Sequence, residues 1–430
     1  MLFKDVTMIG ENEEIIRGAY VGVKGKFIEY VGTEAPREDF GRVHEGRGRL
    51  LMPGFYNAHA HSPMTLLRGY GENLRLHEWL HDRMFPFEAK LYGEAVYWGT
   101  LLAMAESMRF GVVSTTDMYD FGEESVKAVL ESGLKVNFGR PVICFGDEDI
   151  YGLKSFREAM ALLEGLNGAG DGRVVIDLSL HAEYTSTEKT VRQLAEARLE
   201  KGAGMHVHVA ETEQETRGCA ERHGGKTPVA YLAGLGLFEG RTTAAHCVWL
   251  TEEDMGILAE KGVDVATCPV SNMKLASGVC DVPALLAKGV NVAIGTDGVA
   301  SNNSLNYIEE MKFFALANKS AKGDPTLISP AEAVRAATLA GARSQGRRDC
   351  GLIKVGYRAD LAVLDISAPN MRPVHNLLNN VVYSASGGDV LLTMADGAVV
   401  YEKGEYLTLD VERVAFEAEK ATEKILGELS

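Results

Sequence analysis

The sequence predicts an α/β protein with a TIM-like (β/α)₈ barrel over residues 57–349. A β-sandwich assembled from residues 1–56 and 350–409 accompanies it, and a C-terminal helix follows over 410–430. Two observations carry this reading. Eight apolar runs rich in Val and Ile, without apolar/polar alternation, are separated by stretches of helical period, the pattern of strands buried on both faces beneath helices. The two chain ends read differently, as short alternating strands with Gly and charged turns between them.

At the N-terminus, residues 18–31 alternate between apolar and polar positions. The barrel runs follow at 51–57, 112–116, 134–138, 174–180, 205–209, 242–246, 263–267 and 290–297. Eight such units suit a closed barrel; a doubly wound sheet is the alternative. Alternation returns over 356–408, where 359–365 and 390–394 read as strands. Neither end has enough strands to close a core, so one sandwich built from both is the economical solution. From Asp410 onward the spacing is that of an amphipathic helix.

Composition narrows the function classes. The chain has 430 residues, and 44 Lys and Arg stand against 60 Asp and Glu, for a net charge of −16. That balance argues against a nucleic-acid partner, which needs a basic face. No window reaches the roughly 18 apolar residues of a membrane span, and Met1–Asp5 lacks the basic-then-apolar order of a signal peptide. Six scattered cysteines without a C-x-x-C pair fit a reducing cytoplasm. The expected partner is a small molecule, with a homo-oligomer left open.

The chemistry-bearing residues fall at the C-terminal ends of the barrel runs, where barrel enzymes build their sites. His59 and His61 follow the first, His181 the fourth, His208 and Glu211 the fifth, His246 the sixth and Asp297 the last. In a strand, residues i and i+2 share a face, so His59 and His61 can reach one ion. A third imidazole and a carboxylate complete a donor set suited to Zn²⁺, Fe²⁺ or Ni²⁺. His206 rivals His208 as third ligand; His208 is preferred because it lies nearer the strand end and precedes Glu211. His77, His81, His223 and His375 read as surface or packing residues.

His59-Ala-His61-Ser-Pro-Met-Thr-Leu-Leu-Arg-Gly69, His208-Val-Ala-Glu211, Ala245-His246-Cys247 and Gly295-Thr-Asp297-Gly-Val-Ala-Ser-Asn-Asn303 resemble the amidohydrolase superfamily, metal-dependent hydrolases. More narrowly they resemble its methylthioadenosine/S-adenosylhomocysteine deaminase and triazine chlorohydrolase branch. The resemblance extends over 356–363 and 381–389, covering nearly the whole chain. It implies His59, His61, His208 and Asp297 as ligands of one divalent ion, most simply Zn²⁺. It implies Glu211, His246 and Asp297 as catalytic residues: Asp297 takes a proton from water, Glu211 gives one to a ring nitrogen, and His246 stabilises the oxygen of the tetrahedral carbon. Glu88 and His181, with Glu211 and Asp297, would contact the substrate, and Trp79 lies in the segment roofing the pocket.

A single ion is expected because residues 174–180 contain no bridging lysine. His181-Ala-Glu183 fits the H-x-E half of the other zinc deaminase class, but the P-C-x-x-C half is missing. The implied reaction is deamination of an adenosine derivative: 5′-methylthioadenosine, 5′-deoxyadenosine, adenosine or S-adenosylhomocysteine. The alternative is hydrolysis of another heterocycle, such as guanine, a pterin, cytosine or an s-triazine. Glu88 favours the nucleoside, since a free base has no vicinal diol to hold. A non-catalytic scaffold is disfavoured because both the ligands and the proton-transfer residues are present. Relatives acting on S-adenosylhomocysteine carry arginines for its carboxylate. The aligned positions fall at Phe145 and near Ser155 and Phe156, beside the acidic segment 145–150, and Arg140 reads as structural. A small, uncharged 5′ group is therefore expected, unless Lys154 or Arg157 substitutes.

Overall fold

A computed structural model of the chain describes residues 1–74 and 76–429; Arg75, Ser430 and the side chains of Leu76 and His77 lie outside what is described. Eight parallel strands form one sheet in sequential order: Phe55–Ala60, Val112–Met118, Lys135–Val142, Val174–Leu180, Met205–Val209, Thr242–His246, Asp264–Thr267 and Val292–Ile294. These are the eight expected strands, and nearly every residue in them is buried, polar members such as Asp177, His206 and His208 included.

The first and eighth strands are joined without a regular ladder. The amides of Thr296 and Asp297 both donate to the carbonyl of His59, at 3.0 Å. The Asn57 side chain donates to Thr296 Oγ1 at 2.7 Å. Tyr307 Oη donates to the carbonyls of Tyr56 and Ile294, at 2.9 and 2.5 Å. Closure and the future site are thus the same piece of chain.

The two ends of the chain meet in one nine-stranded, mainly antiparallel sheet. Arg49–Pro53 lies at its centre, between Leu2–Ile9 and Leu361–Asp365. Phe3, Val21, Ile28, Leu361, Leu392 and Met394, from both ends, share one apolar cluster.

The run expected as one strand over 51–57 is divided. Residues up to Pro53 belong to the terminal sheet and those from Phe55 to the barrel. Gly54 is the crossing point, and any side chain there would collide with Val113, whose Cγ1 would stand 2.5 Å from an added Cβ.

The two sheets are pinned together at the N-terminal end of the barrel. Lys135, fully buried on the third strand, contacts the carboxylates of Asp360 and Asp396 from the terminal sheet region. Tyr56 Oη donates to Asp360, and Arg358 pairs with Asp396 at 3.0 Å.

The C-terminal helix, Val411–Leu429, buries Val414, Ala418, Ala421 and Ile425 at the 3–4 residue spacing its sequence shows. Ala418, Ala421 and Ile425 pack in a cluster with Leu66, Leu67, Trp79 and Phe87, so this helix backs the segment that roofs the barrel. Among the described residues no helix is long and apolar enough to cross a membrane.

Candidate active site

At the C-terminal ends of the strands the chain turns sharply. Ala210, His246, Cys247 and Asp297 all have positive φ, between 50° and 70°. This left-handed backbone is costly for non-glycine residues and persists where the surroundings over-determine it. It coincides with the side chains that gather here.

The Nε2 atoms of His59 and His61 lie 3.5 and 3.3 Å from Asp297 Oδ1, and His208 Nε2 is 3.3 Å from His61 Nε2. His59, His61 and His208 offer ligand atoms within 4.8 Å of one another, as do His59, His246 and Asp297. His59 Nε2 is buried with no hydrogen-bond partner among the described residues, an orphaned ligand atom 3.5 Å from Asp297 Oδ1.

The far nitrogens of the rings are all occupied. His61 Nδ1 meets the Met118 carbonyl at 2.6 Å, and His208 Nδ1 the His181 carbonyl at 2.8 Å. His59 Nδ1 meets His206 Nε2 at 2.8 Å. His206 therefore stands behind His59 and orients it, while His208 faces the centre. Outer partners of this kind fix the tautomer that leaves Nε2 free to bind a metal.

Burial removes protons from these rings. It pulls His59 down to about 3 and His181 to about 4, and holds His206 and His208 well below the usual range. Neutral imidazoles are what a metal requires. Asp297 is ionised well below its usual range: burial opposes this, but the imidazoles of His59, His246 and His61 outweigh it. Its Oδ2 accepts hydrogen bonds from Ser271 at 2.6 Å and Ser301 at 2.9 Å, and its Oδ1 accepts from the Gly298 amide at 2.8 Å. The donor set fits one divalent ion.

Beside the centre stands a second group. Glu211 Oε2 is 3.9 Å from His246 Nε2, and Ser277 Oγ donates to Glu211 Oε1 at 3.4 Å. Burial pushes the Glu211 carboxyl up. For His246 burial pulls the other way, yet the carboxylates of Glu211 and Asp297 hold it above its ordinary value. His246 Nδ1 is fixed on Asn272 Oδ1 at 2.9 Å. Glu215 receives the amides of Ala210 and Glu211 at 2.8 and 2.7 Å, clamping the strained turn that presents Glu211.

His61, His208, Glu211, His246 and Asp297 line a cavity of about 250 Å³. Trp79, Leu80, Phe85 and Leu91 make an apolar side, and Glu88, Asp120, His181 and Tyr184 line the rest. Tyr119 Oη donates to Glu88 Oε1 at 2.7 Å, leaving the other oxygen available, and burial pushes this carboxyl up. No lysine or arginine is among the described lining residues.

Arg140 is held at 2.5 Å by Asp120 and 3.0 Å by Glu158. Phe145 projects from a loop at 78% exposure, and Phe156 is core. Lys154 pairs with Glu158 on the surface, and Arg157 donates to the Gly152 carbonyl.

The residues singled out by sequence thus meet in one place: His59, His61, His208, Asp297, Glu211, His246, Glu88, His181 and Trp79. Sequence reasoning missed Ser271, Ser301, Asn272, Glu215 and Tyr119, small or generic side chains whose only signal is their position in the folded chain. His223 is a packing residue, as expected. The structure shows its ring stacked on Tyr231 at 3.6 Å with Nε2 2.7 Å from the buried Glu183.

Residues 50–400 match the profile of the Amidohydrolase family. The chain is 39% identical to the 5-methylthioadenosine/S-adenosylhomocysteine deaminase of Caldanaerobacter subterraneus subsp. tengcongensis over 433 residues, covering 100% of both proteins. It is 39% identical to the 5'-deoxyadenosine deaminase of Methanosarcina mazei over 425 residues, covering 99% of this chain and 97% of that one. Among solved structures, an adenosine deaminase from Xanthomonas campestris with bound zinc superposes with a TM-score of 0.92 at 32% identity, covering 99% of this chain and 98% of that one. Atrazine chlorohydrolase from Arthrobacter aurescens, with zinc, shares the fold: TM-score 0.91 at 20% identity, over 98% of this chain and 99% of that one.

Proposed function

This chain belongs to the amidohydrolase family, and we propose that it is a metal-dependent hydrolytic deaminase of adenosine derivatives, converting them to the inosine analogue and ammonia. The observation that carries this reading is a single cavity. His61, His208 and Asp297 of the three-imidazole, one-carboxylate centre, the Glu211–His246 pair and the Glu88 carboxylate line it, with His59 buried behind them. The comparisons give the same reaction, since the relatives matched over their full length are deaminases of adenosine derivatives.

His59, His61, His208 and Asp297 would hold one divalent ion, with zinc favoured. When bound, such an ion lowers the pKa of water to about 7 and so supplies the nucleophile. The remaining chemistry falls to the chain's own groups. Asp297 receives the proton that water gives up, on a carboxylate fixed by Ser271 and Ser301. Glu211, whose burial favours the protonated form, gives a proton to the ring nitrogen next to the attacked carbon. His246, whose protonated form its carboxylate neighbours favour, stabilises the oxygen that develops on that carbon. Ammonia leaves after a proton returns from the carboxylates. Glu88, with one oxygen tied to Tyr119, would receive the ribose hydroxyls with the other, and His181, also lining the cavity, would contact the substrate.

The apolar side of the cavity and the engaged state of Arg140 favour a small, uncharged 5′ group such as that of methylthioadenosine. A carboxylate brought there would lose water without finding a free cation among the described lining residues. The test is ammonia release from metal-loaded enzyme against adenosine, 5′-deoxyadenosine, methylthioadenosine, S-adenosylhomocysteine, guanine, a pterin and an s-triazine. We expect turnover of the nucleosides and a kcat/KM for methylthioadenosine about tenfold or more above that for S-adenosylhomocysteine, a difference of about 1.4 kcal/mol. Equal or reversed preference would show that Arg140 or another cation is released to the substrate. Turnover of free heterocycles alone would replace the nucleoside reading.

A further inference from the structure

A second cluster of metal-type donors lies behind the cavity wall, apart from the barrel centre. Glu183 opens the short turn Glu183–Thr185 after the fourth barrel strand. Cys219 lies in the last turn of the helix Glu213–Arg222, and His223 follows that helix directly. Cys219 and His223 are four residues apart, the spacing that brings two side chains to one face of a helix. A carboxylate oxygen of Glu183, the Cys219 sulfur and a His223 ring nitrogen all lie within 4.8 Å of one another. Glu183 and Cys219 are buried, at 1% and 0% exposure. The His223 ring is stacked on Tyr231 at 3.6 Å, which holds it toward Glu183.

We propose that Glu183, Cys219 and His223 form an accessory site for a borderline divalent ion, Zn²⁺ or Co²⁺, with one sulfur, one nitrogen and one oxygen ligand. The donor set is one that zinc takes in tetrahedral sites, with water in the fourth position. Binding releases the thiol proton of Cys219 to solvent and involves no change of oxidation state.

The cation that now balances Glu183 is Arg222, at 2.6 Å. Its side chain is 46% exposed and can leave toward solvent, which opens the path by which the ion enters. Because an ion must displace this guanidinium, the site fills after the barrel centre and less tightly. It also touches the active cavity from behind. Tyr184, the next residue, lines the cavity wall, and Thr185 Oγ1 is 3.1 Å from Nδ1 of His181.

Cobalt distinguishes the two sites, because only a sulfur ligand gives an intense thiolate-to-metal band in the near ultraviolet. Metal-free full-length protein is titrated with Co²⁺ alone and followed by absorbance. The first equivalent should produce the weak visible bands of the barrel centre, and a second should add the near-ultraviolet band. Cys219→Ser and His223→Gln should each lose the second equivalent and its band while keeping the first. His223 lies partly open to solvent, so its replacement keeps the test valid should Cys219→Ser fold poorly. No near-ultraviolet band in the wild type at saturating cobalt, or a band that survives both substitutions, would overturn the site. Loss of the first equivalent with the near-ultraviolet band intact would instead count against the barrel centre and leave the accessory site standing.

Discussion

Glu211→Gln lowers kcat by about 10²–10⁴ and leaves the metal content unchanged, because a proton donor is lost and no ligand is. The substitution is close to isosteric. A glutamine can still accept from Ser277, and the clamp that Glu215 places on the amides of Ala210 and Glu211 does not involve the Glu211 side chain. What disappears is the ability to hand a proton to the ring nitrogen. His246→Asn should fall similarly, since the imidazole beside Glu211 at 3.9 Å is the group placed to stabilise a developing oxyanion. Steady-state kinetics with elemental analysis of the same preparations check this. Near-native turnover by either variant would remove the role assigned to it.

The second large effect concerns stability. Lys135→Ala should destabilise the fold by about 3–5 kcal/mol, the cost of breaking a buried ion pair from one side. Lys135 is fully buried between Asp360 and Asp396. Burial alone would push the Asp360 carboxyl up, and Lys135 is the foremost reason that it is instead held below its ordinary value. Without the ammonium, Asp396 keeps Arg358, and Asp360 keeps the Tyr56 hydroxyl and one backbone amide. That leaves a buried negative charge without a cation.

The cluster sits at the N-terminal end of the third strand, away from the catalytic end. The folded variant should therefore keep its metal content. Urea unfolding of both proteins measures the effect as a lowered midpoint at similar slope. An unchanged midpoint would mean that these charges do not hold the sheets together.

Much of this arrangement is legible in the sequence, for identifiable reasons. A barrel strand is covered on both faces, so Val174–Leu180 and Met205–Val209 are short Val-rich runs whose polar members, Asp177, Ser179, His206 and His208, are buried rather than solvent-facing. The site is legible because strand ends collect the polar exceptions to those runs, and because His59-Ala-His61 has the period of a strand.

The limits are physical too. The residues 51–57 form one apolar run, and nothing in their hydrophobicity marks Gly54 as the point where the chain passes from one sheet to the other; the collision with Val113 does. His206 and His208 share a face, so spacing alone cannot say which meets the centre. The answer lies in the contact of His206 with His59, 147 positions away in the chain. His181-Ala-Glu183 matched half of a foreign motif. Its second member in fact meets Arg222 and His223, a pairing formed only when a helix from another β/α unit docks.

The most direct test of the central claim is a zinc titration of metal-free protein, with ammonia and the inosine analogue measured from methylthioadenosine. Activity should be absent at the start, rise linearly, and saturate near one equivalent of zinc, with the two products formed in equal amounts. Activity without metal, a requirement for two equivalents, or no ammonia from the nucleoside at any zinc level would contradict a mononuclear hydrolytic deaminase.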